Sequence, residues 1–480
     1  MSALREIIAC TMLVGVGGAL PAFAQIGFGG LGGFGSGVAD PLNVGNVAQG
    51  ASPSPGVGFA PFATVYATFD HELSIGSLPT FYTRQNTYGG GATAGLSGTK
   101  MWQHTALGFA YVGTFLYTPN PTQGPAFSTR FTQNHLLALS VSKMVNSRLS
   151  LAASTFGGTS LGGYGVGSGF GGLNGSGGFG LIPSGDLNAG PGLGLGGLGS
   201  TQQNGLVDNE IGNARSNFVA LTGSISYRIS ERWTASVSGG ASILRRKGSM
   251  FGSNDEYASG QLTYRIDSRS NFGVGYQYGF YSYRNAFGDV HPQTLGVSYQ
   301  RRLNGRTGLN LFVGEMQLSS TFVGTVSVDP ELAALLGTST SYAIQSVRYR
   351  SMALGASLSS VTKRQPWSVS YARGMSPGNG LLLAGVRDSL TATTSFNGLG
   401  RLSYALSASA IRDHSLVGSN FTSSTISVAA GTGYRLFGQF YWTVNGGFHR
   451  FDISSVFSGS AGLFATVGLT WTPRESHLQI

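Results

Sequence analysis

From residue 217 the chain alternates. In NFVALTGSISYRI, Val219, Leu221, Ile225, Tyr227 and Ile229 fall on one parity; Ala220, Thr222, Ser224, Ser226 and Arg228 fall on the other. A period of two marks a strand with one greasy and one polar face. A short turn, Ser230–Arg232, follows. WTASVSGGASI then alternates again, with Trp233, Ala235, Val237, Ala241 and Ile243 against Thr234, Ser236, Ser238 and Ser242. The polar face is built of small Ser, Thr and Gly. A soluble sandwich shows the reverse, a greasy buried face and a charged outer one. Small polar residues inside and an aromatic-flanked apolar outside predict a membrane barrel.

The hairpin recurs along the chain. Short turns are predicted near Lys100–Gln103, Asn146–Arg148, Ser230–Arg232, Ser268–Ser270, Asn304–Arg306, Lys363–Gln365, Asn397–Gly400 and Phe437–Gln439. Between them lie longer polar or Gly-rich connections at 119–128, 156–213, 247–255, 285–292, 320–345, 374–383, 413–423 and 454–461. Short turns on one rim and long loops on the other is the outer-membrane arrangement, with the short side periplasmic. The fold class expected is therefore all-β: a transmembrane antiparallel β-barrel of about eighteen strands (16–18) with short periplasmic turns and long extracellular loops.

Four downward strands end in a Tyr-Arg-aliphatic or similar stub: SYRISERW (226–233), TYRIDSRSNF (263–272), SYQRRLNGRTGL (298–309) and GYRLFGQFYW (433–442). By parity Tyr227, Tyr264, Tyr299 and Tyr434 point outward, where an aromatic girdle belongs, and Trp233, Phe272, Trp367, Trp442 and Trp471 join them. Arg228, Arg265, Arg302 and Arg435 end downward strands on the inward parity. Arg148, Arg232, Arg269, Arg306, Arg364 and Arg401 begin upward strands on the same parity. Ten arginines would ring the inner mouth and attract anions. The bland reading, solvated arginines that hold turn carbonyls, weighs as much. Arg246 and Arg387 have inward parity nearer the outer half and would continue the basic track in the upper lumen.

Composition sharpens this picture. Of 480 residues only 10% are charged, 77 are Gly and 11% are aromatic. That is too aromatic for a disordered chain and too poor in charge for an ordinary soluble surface. The net charge of +10 rests mostly on Arg, since Lys occurs only at 100, 143, 247 and 363. Residues 1–24 read as a secretory signal: Arg5, the apolar IIACTMLVGVGGAL, and AFA at 22–24 before Gln25. Cys10 is the only cysteine and lies in that segment, so disulfides and thiolate sites are excluded downstream. No later stretch is apolar for about 18 residues, which leaves the closed barrel as the way into a membrane.

Together, the signal, the alternation, the stubs and the last strand GLFATVGLTW resemble the outer-membrane β-barrel superfamily of Gram-negative bacteria, porin-like transport barrels included. The resemblance covers about 62–473 and points to no specific family. It implies an outer-membrane location, contact with outer-membrane lipid and lipopolysaccharide, and insertion by the barrel-assembly machinery. Such barrels usually end in an aromatic residue; here TPRESHLQI follows Trp471. The organisation expected is a signal at 1–24, a Gly/Pro/Ser-rich periplasmic leader at 25–60, the barrel at 61–473 with a large Gly-rich extracellular loop at 156–213, and a periplasmic tail at 474–480.

The remaining motifs add little chemistry. GYGVGSG in the Gly-rich tract lacks the Lys-Ser/Thr and βαβ context of a phosphate loop. DPELAALLG (329–337) has an Asp N-cap, Pro at the first helical position and a closing Gly, which predicts a short loop helix. Asp70 and His71, Asp289 and His291, and Asp413 and His414 fall near outer strand ends. A hydrolase needs a carboxylate-held base beside a nucleophile, and neighbours on a strand point to opposite faces. No enzyme, cofactor or nucleic-acid partner is expected, and His135, His291 and His449 show no metal-ligand spacing. The expected function is passive diffusion of small, anionic, hydrophilic solutes, or export of an acidic polysaccharide. The alternative is a plugged, non-conducting barrel acting as a surface adhesin or structural protein.

Overall fold

The computed structural model describes residues 57–75, 82–117, 131–161, 215–246, 252–284, 288–304, 306–329, 331, 334, 337–360, 365, 367–376, 385–397, 402–416, 422–453, 459–471 and 476–478. The expected signal, most of the leader and residues 162–213 of the expected Gly-rich loop 156–213 lie outside them, while 156–161 belong to a strand. The strands are β1 (Val57–Ile75), β2 (Tyr82–Met101), β3 (Thr105–Tyr117), β4 (Phe131–Met144), β5 (Leu149–Leu161), β6 (Arg215–Arg228) and β7 (Trp233–Arg246). Then come β8 (Gly252–Arg265), β9 (Ser270–Arg284), β10 (Gly288–Arg302), β11 (Thr307–Ser327), β12 (Thr340–Ser360) and β13 (Trp367–Ser376). The series ends with β14 (Gly385–Asn397), β15 (Leu402–Ser415), β16 (Thr422–Phe437), β17 (Phe440–Ile453), β18 (Gly459–Trp471) and a three-residue β19 (Ser476–Leu478).

Every strand from β1 to β18 pairs antiparallel with the next, and β18 returns to β1 from Ala63↔Trp471 to Ile75↔Gly459. Eighteen strands thus close one barrel, and β19 adds a short pairing with Val57–Phe59. The first strand accordingly begins at Val57, inside the segment assigned to the leader. All eight expected turn positions fall between paired strands, from Met101–Thr105 to Phe437–Phe440.

The parity holds along β6 and β7. Val219, Leu221, Ile225, Val237 and Ile243 on β6 and β7 are exposed on the outer face, while Phe218, Ala220, Ser242 and Leu244 are buried on the inner one. Inside, hydroxyls meet across neighbouring strands: Thr64 with Thr470, Thr93 with Thr114, Ser154 with Thr222, Ser238 with Ser259, Ser370 with Thr391, and Ser409 with Ser427. These pairs satisfy polar groups without long side chains, so the lumen wall stays low. Inward aromatic rings lie over glycines of the next strand. A Cβ on Gly240 would meet the Tyr257 ring at 2.7 Å and the Leu221 carbonyl at 2.6 Å; Gly91 holds Tyr66 and Gly447 holds Phe464 in the same way.

The expected loops 285–292 and 320–345 are shorter than predicted, because β9–β10 and β11–β12 continue through them. Pairing persists there while the outer face turns polar, at His291, Gln293, Gln317, Ser319, Arg348 and Arg350. The contrast that advertises a strand is lost, though the ladder is not. Between β11 and β12 the Asp329 carboxylate accepts the Glu331 N–H at 3.0 Å, Glu331 and Ala334 are helical, and Gly337 closes the turn at φ 68. Residues 330, 332, 333, 335 and 336 of the expected short helix lie outside the described residues.

One seam is irregular. β12 pairs with β11 along its whole length, from Thr307↔Ser360 to Ser327↔Thr340. With β13 it pairs only from Ser360↔Trp367 to Leu354↔Arg373 among the described residues. Above that point Met375 on β13 and Val386 on β14 are buried in one apolar cluster with Tyr281, Val290, Phe312, Met316, Leu318 and Ala353. The last six are inward residues of β9–β12, whereas Met375 and Val386 share the parity of the outward Val369 and Leu390. The upper ends of β13 and β14 therefore lap inside β12, and β13 also touches β11 across it.

Candidate functional site: the periplasmic rim and lumen

The rim is built from one repeated turn. Asn146, Ser230, Asp267 and Asn304 each sit two residues before an arginine. The Asn146 Oδ1 accepts the Arg148 and Leu149 N–H groups, both at 2.8 Å, and Asn304 takes those of Arg306 and Thr307 at 2.8 and 2.7 Å. Ser230 Oγ accepts from Arg232 and Trp233, and the Asp267 carboxylate from Arg269. Side chains of this type substitute for backbone in tight turns. The Asp267 carboxyl is held below its ordinary value of 3.8, chiefly by that backbone bond.

Adjacent hairpins are then stitched together through the arginines' own backbone. The Arg228 N–H donates to the Arg148 carbonyl at 2.7 Å, Arg265 to Arg232 at 2.8 Å and Arg302 to Arg269 at 2.7 Å. The stub arginine of one strand thus lies beside the turn arginine of the previous hairpin. Of the ten arginines expected at this mouth, Arg148, Arg228, Arg232, Arg265, Arg269, Arg302, Arg306 and Arg435 are described, and all but the half-buried Arg302 are exposed. Arg364 and Arg401 lie outside the described residues.

Two directions differ from the parity expectation. Arg232 donates through Nη1 to the Tyr264 hydroxyl at 3.2 Å, so its guanidinium reaches the outer girdle rather than the lumen. The bond raises the Arg232 pKa above its ordinary value. The cause is the turn itself: residues beyond the cap no longer follow the strand's pleat. Arg435 folds back to its own turn, donating from Nε to the Gly438 carbonyl at 2.9 Å.

The girdle residues Tyr227, Trp233, Phe272, Tyr434, Trp442 and Trp471 are exposed on the outer face, and Trp233 packs against Tyr264 with ring centroids 4.9 Å apart. Tyr299 and Trp367 are half-buried on the same face.

The upper lumen is less basic than the sequence suggests. Arg387 faces inward but is buried and clamped by Asp413, Nε to Oδ1 at 2.6 Å and Nη2 to Oδ2 at 2.7 Å. The pair is neutral as a unit and adds no net charge. The Arg246 side chain lies outside the described residues. Asp255, buried on the inner face, accepts from Ser242 at 2.9 Å and from Ser253 at 3.2 Å. Sequence reasoning had not singled it out.

The Asp-His couples divide. Asp413 points inward and His414 outward, as strand neighbours should. The side chains of Asp70 and His71 lie outside the described residues. Asp289 and His291 are two positions apart, so they share the outer face and meet, Nε2 to Oδ2 at 3.2 Å. The expectation of opposite faces fails for this couple. Its other ring nitrogen is bonded to the Tyr278 hydroxyl at 2.7 Å, and the ring packs on Phe280. The same Tyr-His-Phe grouping recurs at Tyr111, His135 and Phe115. A base occupied on both nitrogens has no free lone pair for a nucleophile, and a repeated outer-face grouping reads as packing. Among the described residues no cluster of His, Cys, Asp and Glu could hold a metal ion.

No protein-family model matches the chain, and no curated protein matches it in sequence. In fold it is similar to the outer membrane protein opdK from Pseudomonas aeruginosa, with 11% identity over 86% of this chain and 99% of that one, at a TM-score of 0.39. Acinetobacter baumannii OccAB4 gives 7% identity over 89% and 100%, at 0.37. The ferric yersiniabactin uptake receptor FyuA from Yersinia pestis gives 10% over 84% and 65%, at 0.34. Likeness this distant carries no argument beyond the barrel that the strand pairing itself establishes.

Proposed function

We propose that the protein is an outer-membrane channel for passive diffusion of small hydrophilic solutes, with anions favoured. The observation that carries this reading is the stitched rim, where Arg148 and Arg228, Arg232 and Arg265, and Arg269 and Arg302 are neighbours through backbone bonds. Glu231 and Asp267 are the acids in the same turns, and the Asp267 carboxylate is engaged by backbone N–H groups. A mouth with excess guanidinium raises the local concentration of anions. The hydroxyl-lined wall offers hydrogen bonds to a hydrated solute and no strong site to trap it. The same features suit export of an acidic polysaccharide.

A second reading has its own support. Met316 and Leu318 are wholly buried on the inner face, and the lapped ends of β13 and β14 narrow the upper lumen there. Dense packing of this kind suits a closed barrel that binds at its outer surface.

Reversal potential in a planar bilayer under a salt gradient separates the two. Steady conductance with anion preference is expected, and Arg228→Ser, Arg265→Ser, Arg302→Ser and Arg435→Ser together should erase the preference while conductance remains. Absence of conductance from protein shown to be folded sinks the channel and favours the closed barrel.

A further inference from the structure

The outer face of the barrel is not uniform. On β6 and β7 it is apolar from the girdle upward, through Ile225, Leu221 and Val219 and through Val237 and Ile243. On β11–β15 it carries charge. Arg348 and Arg350 on β12 are exposed outward, beside Glu315 on β11, whose Oε1 lies 3.9 Å from the Arg350 Nε. Across the seam Arg373 on β13 pairs in register with Asp388 on β14, which pairs in register with Arg412 on β15. Arg373 holds Asp388 through Nη1, at 3.2 and 3.0 Å to the two carboxylate oxygens. Four guanidinium groups thus face two carboxylates in one sector.

Height places this sector. Asp388 stands eight residues above Phe396, and Arg412 eight above Tyr404, where those two rings stack at the periplasmic girdle. At about 3.3 Å per residue and a tilt of about 40°, eight residues climb roughly 20 Å. The apolar band is about 25 Å tall. The arginines therefore lie at its upper margin, from which their long side chains reach outer-leaflet headgroups. An arginine at mid-depth on the lipid face would be strongly disfavoured, and at the margin it is tolerated.

We infer that this sector, at the seam where β12 parts from β13, binds the phosphorylated headgroup of an outer-leaflet glycolipid. Charge complementarity selects the ligand: guanidinium groups take phosphate oxygens two at a time, and Arg348, Arg350 and Arg412 keep donors directed outward. Glu315 and Asp388 space the arginines and leave the sector net positive. Occupation would also cover the seam, where β12 lacks its β13 partner above Leu354 among the described residues. The inference stands apart from conduction and is tested without it.

The test is native mass spectrometry of the full chain extracted from outer membranes in mild detergent. Wild type should carry phosphorylated glycolipid, and Arg348→Gln, Arg350→Gln and Arg412→Gln together should lower the bound fraction about tenfold, a 1.4 kcal/mol effect. This variant leaves the Arg373–Asp388 pair intact; if it does not fold, Arg350→Gln alone is read for a smaller loss. Glycolipid stripped of its phosphates should not rebind to delipidated wild type. Equal retention by the variant, equal rebinding of the dephosphorylated lipid, or a second barrel in place of lipid overturns the inference. Displacement by millimolar inorganic phosphate overturns the lipid assignment and leaves a free-anion site.

Discussion

Asp267 shows how one side chain can order a rim. Its carboxylate takes the N–H of Arg269, and the Arg269 carbonyl in turn receives the N–H of Arg302. Because its folded pKa lies below 3.8, the stabilisation is present above that value and is lost as pH falls through the lower folded value. Wild type should therefore lose more stability than Asp267→Asn between pH 5 and the acid limit. Urea midpoints across that range check this, and parallel curves would refute it. The uncharged caps behave otherwise: Asn304→Ala removes two backbone bonds and should cost about 1 kcal/mol at any pH. The arginines just beyond these caps were readable as a group but not one by one. Parity assigned Arg232 to the lumen, yet its bond to Tyr264 turns it outward, because a turn breaks the pleat that parity relies on.

At the scale of strands, the sequence carried most of the information over the membrane-facing part of the wall. There lipid demands apolar residues on one face and the lumen small polar ones on the other, so β6 and β7 announce themselves. Above the belt the outer face turns polar while the inner one carries Val290, Leu318 and Phe322, so the contrast of the wall is lost, which is why 285–292 and 320–345 read as loops. The lap of β13 and β14 was not legible at all, since Met375 and Val386 look like ordinary lipid-facing residues. The glycines give the element-scale prediction. Gly240→Ala places a methyl against the Tyr257 ring and the Leu221 carbonyl, and should cost about 1–3 kcal/mol in unfolding experiments. Gly260→Ala on β8 meets nothing within 4 Å and should be near neutral. Equal effects would show that the ring does not rest on Gly240. Hydrogen exchange tests the seam: alternate amides of 340–353, those turned from β11, should exchange faster than amides of 354–360.

For the whole molecule, the Arg387–Asp413 pair links stability to lumen charge. The pair is buried and doubly hydrogen-bonded between β14 and β15, next to the lapped strands. Removing one partner leaves an uncompensated buried charge, at a cost of about 3–5 kcal/mol, whereas replacing both by apolar residues of similar size is nearly neutral or stabilising. Asp413→Asn should thus destabilise the barrel and, in a conducting channel, shift the reversal potential further toward anions, because Arg387 loses its counter-charge. Arg387→Met with Asp413→Leu should restore stability and return selectivity to that of wild type, since a neutral pair has been exchanged for neutral side chains. The two readouts separate the roles. If the double variant regains stability but not the wild-type reversal potential, the pair contributes to the solute's path through charge separation within the lumen. If Asp413→Asn leaves both unchanged, the clamp does not hold the upper wall, and the packing around Met316 and Leu318 alone keeps β13 and β14 lapped inside β12.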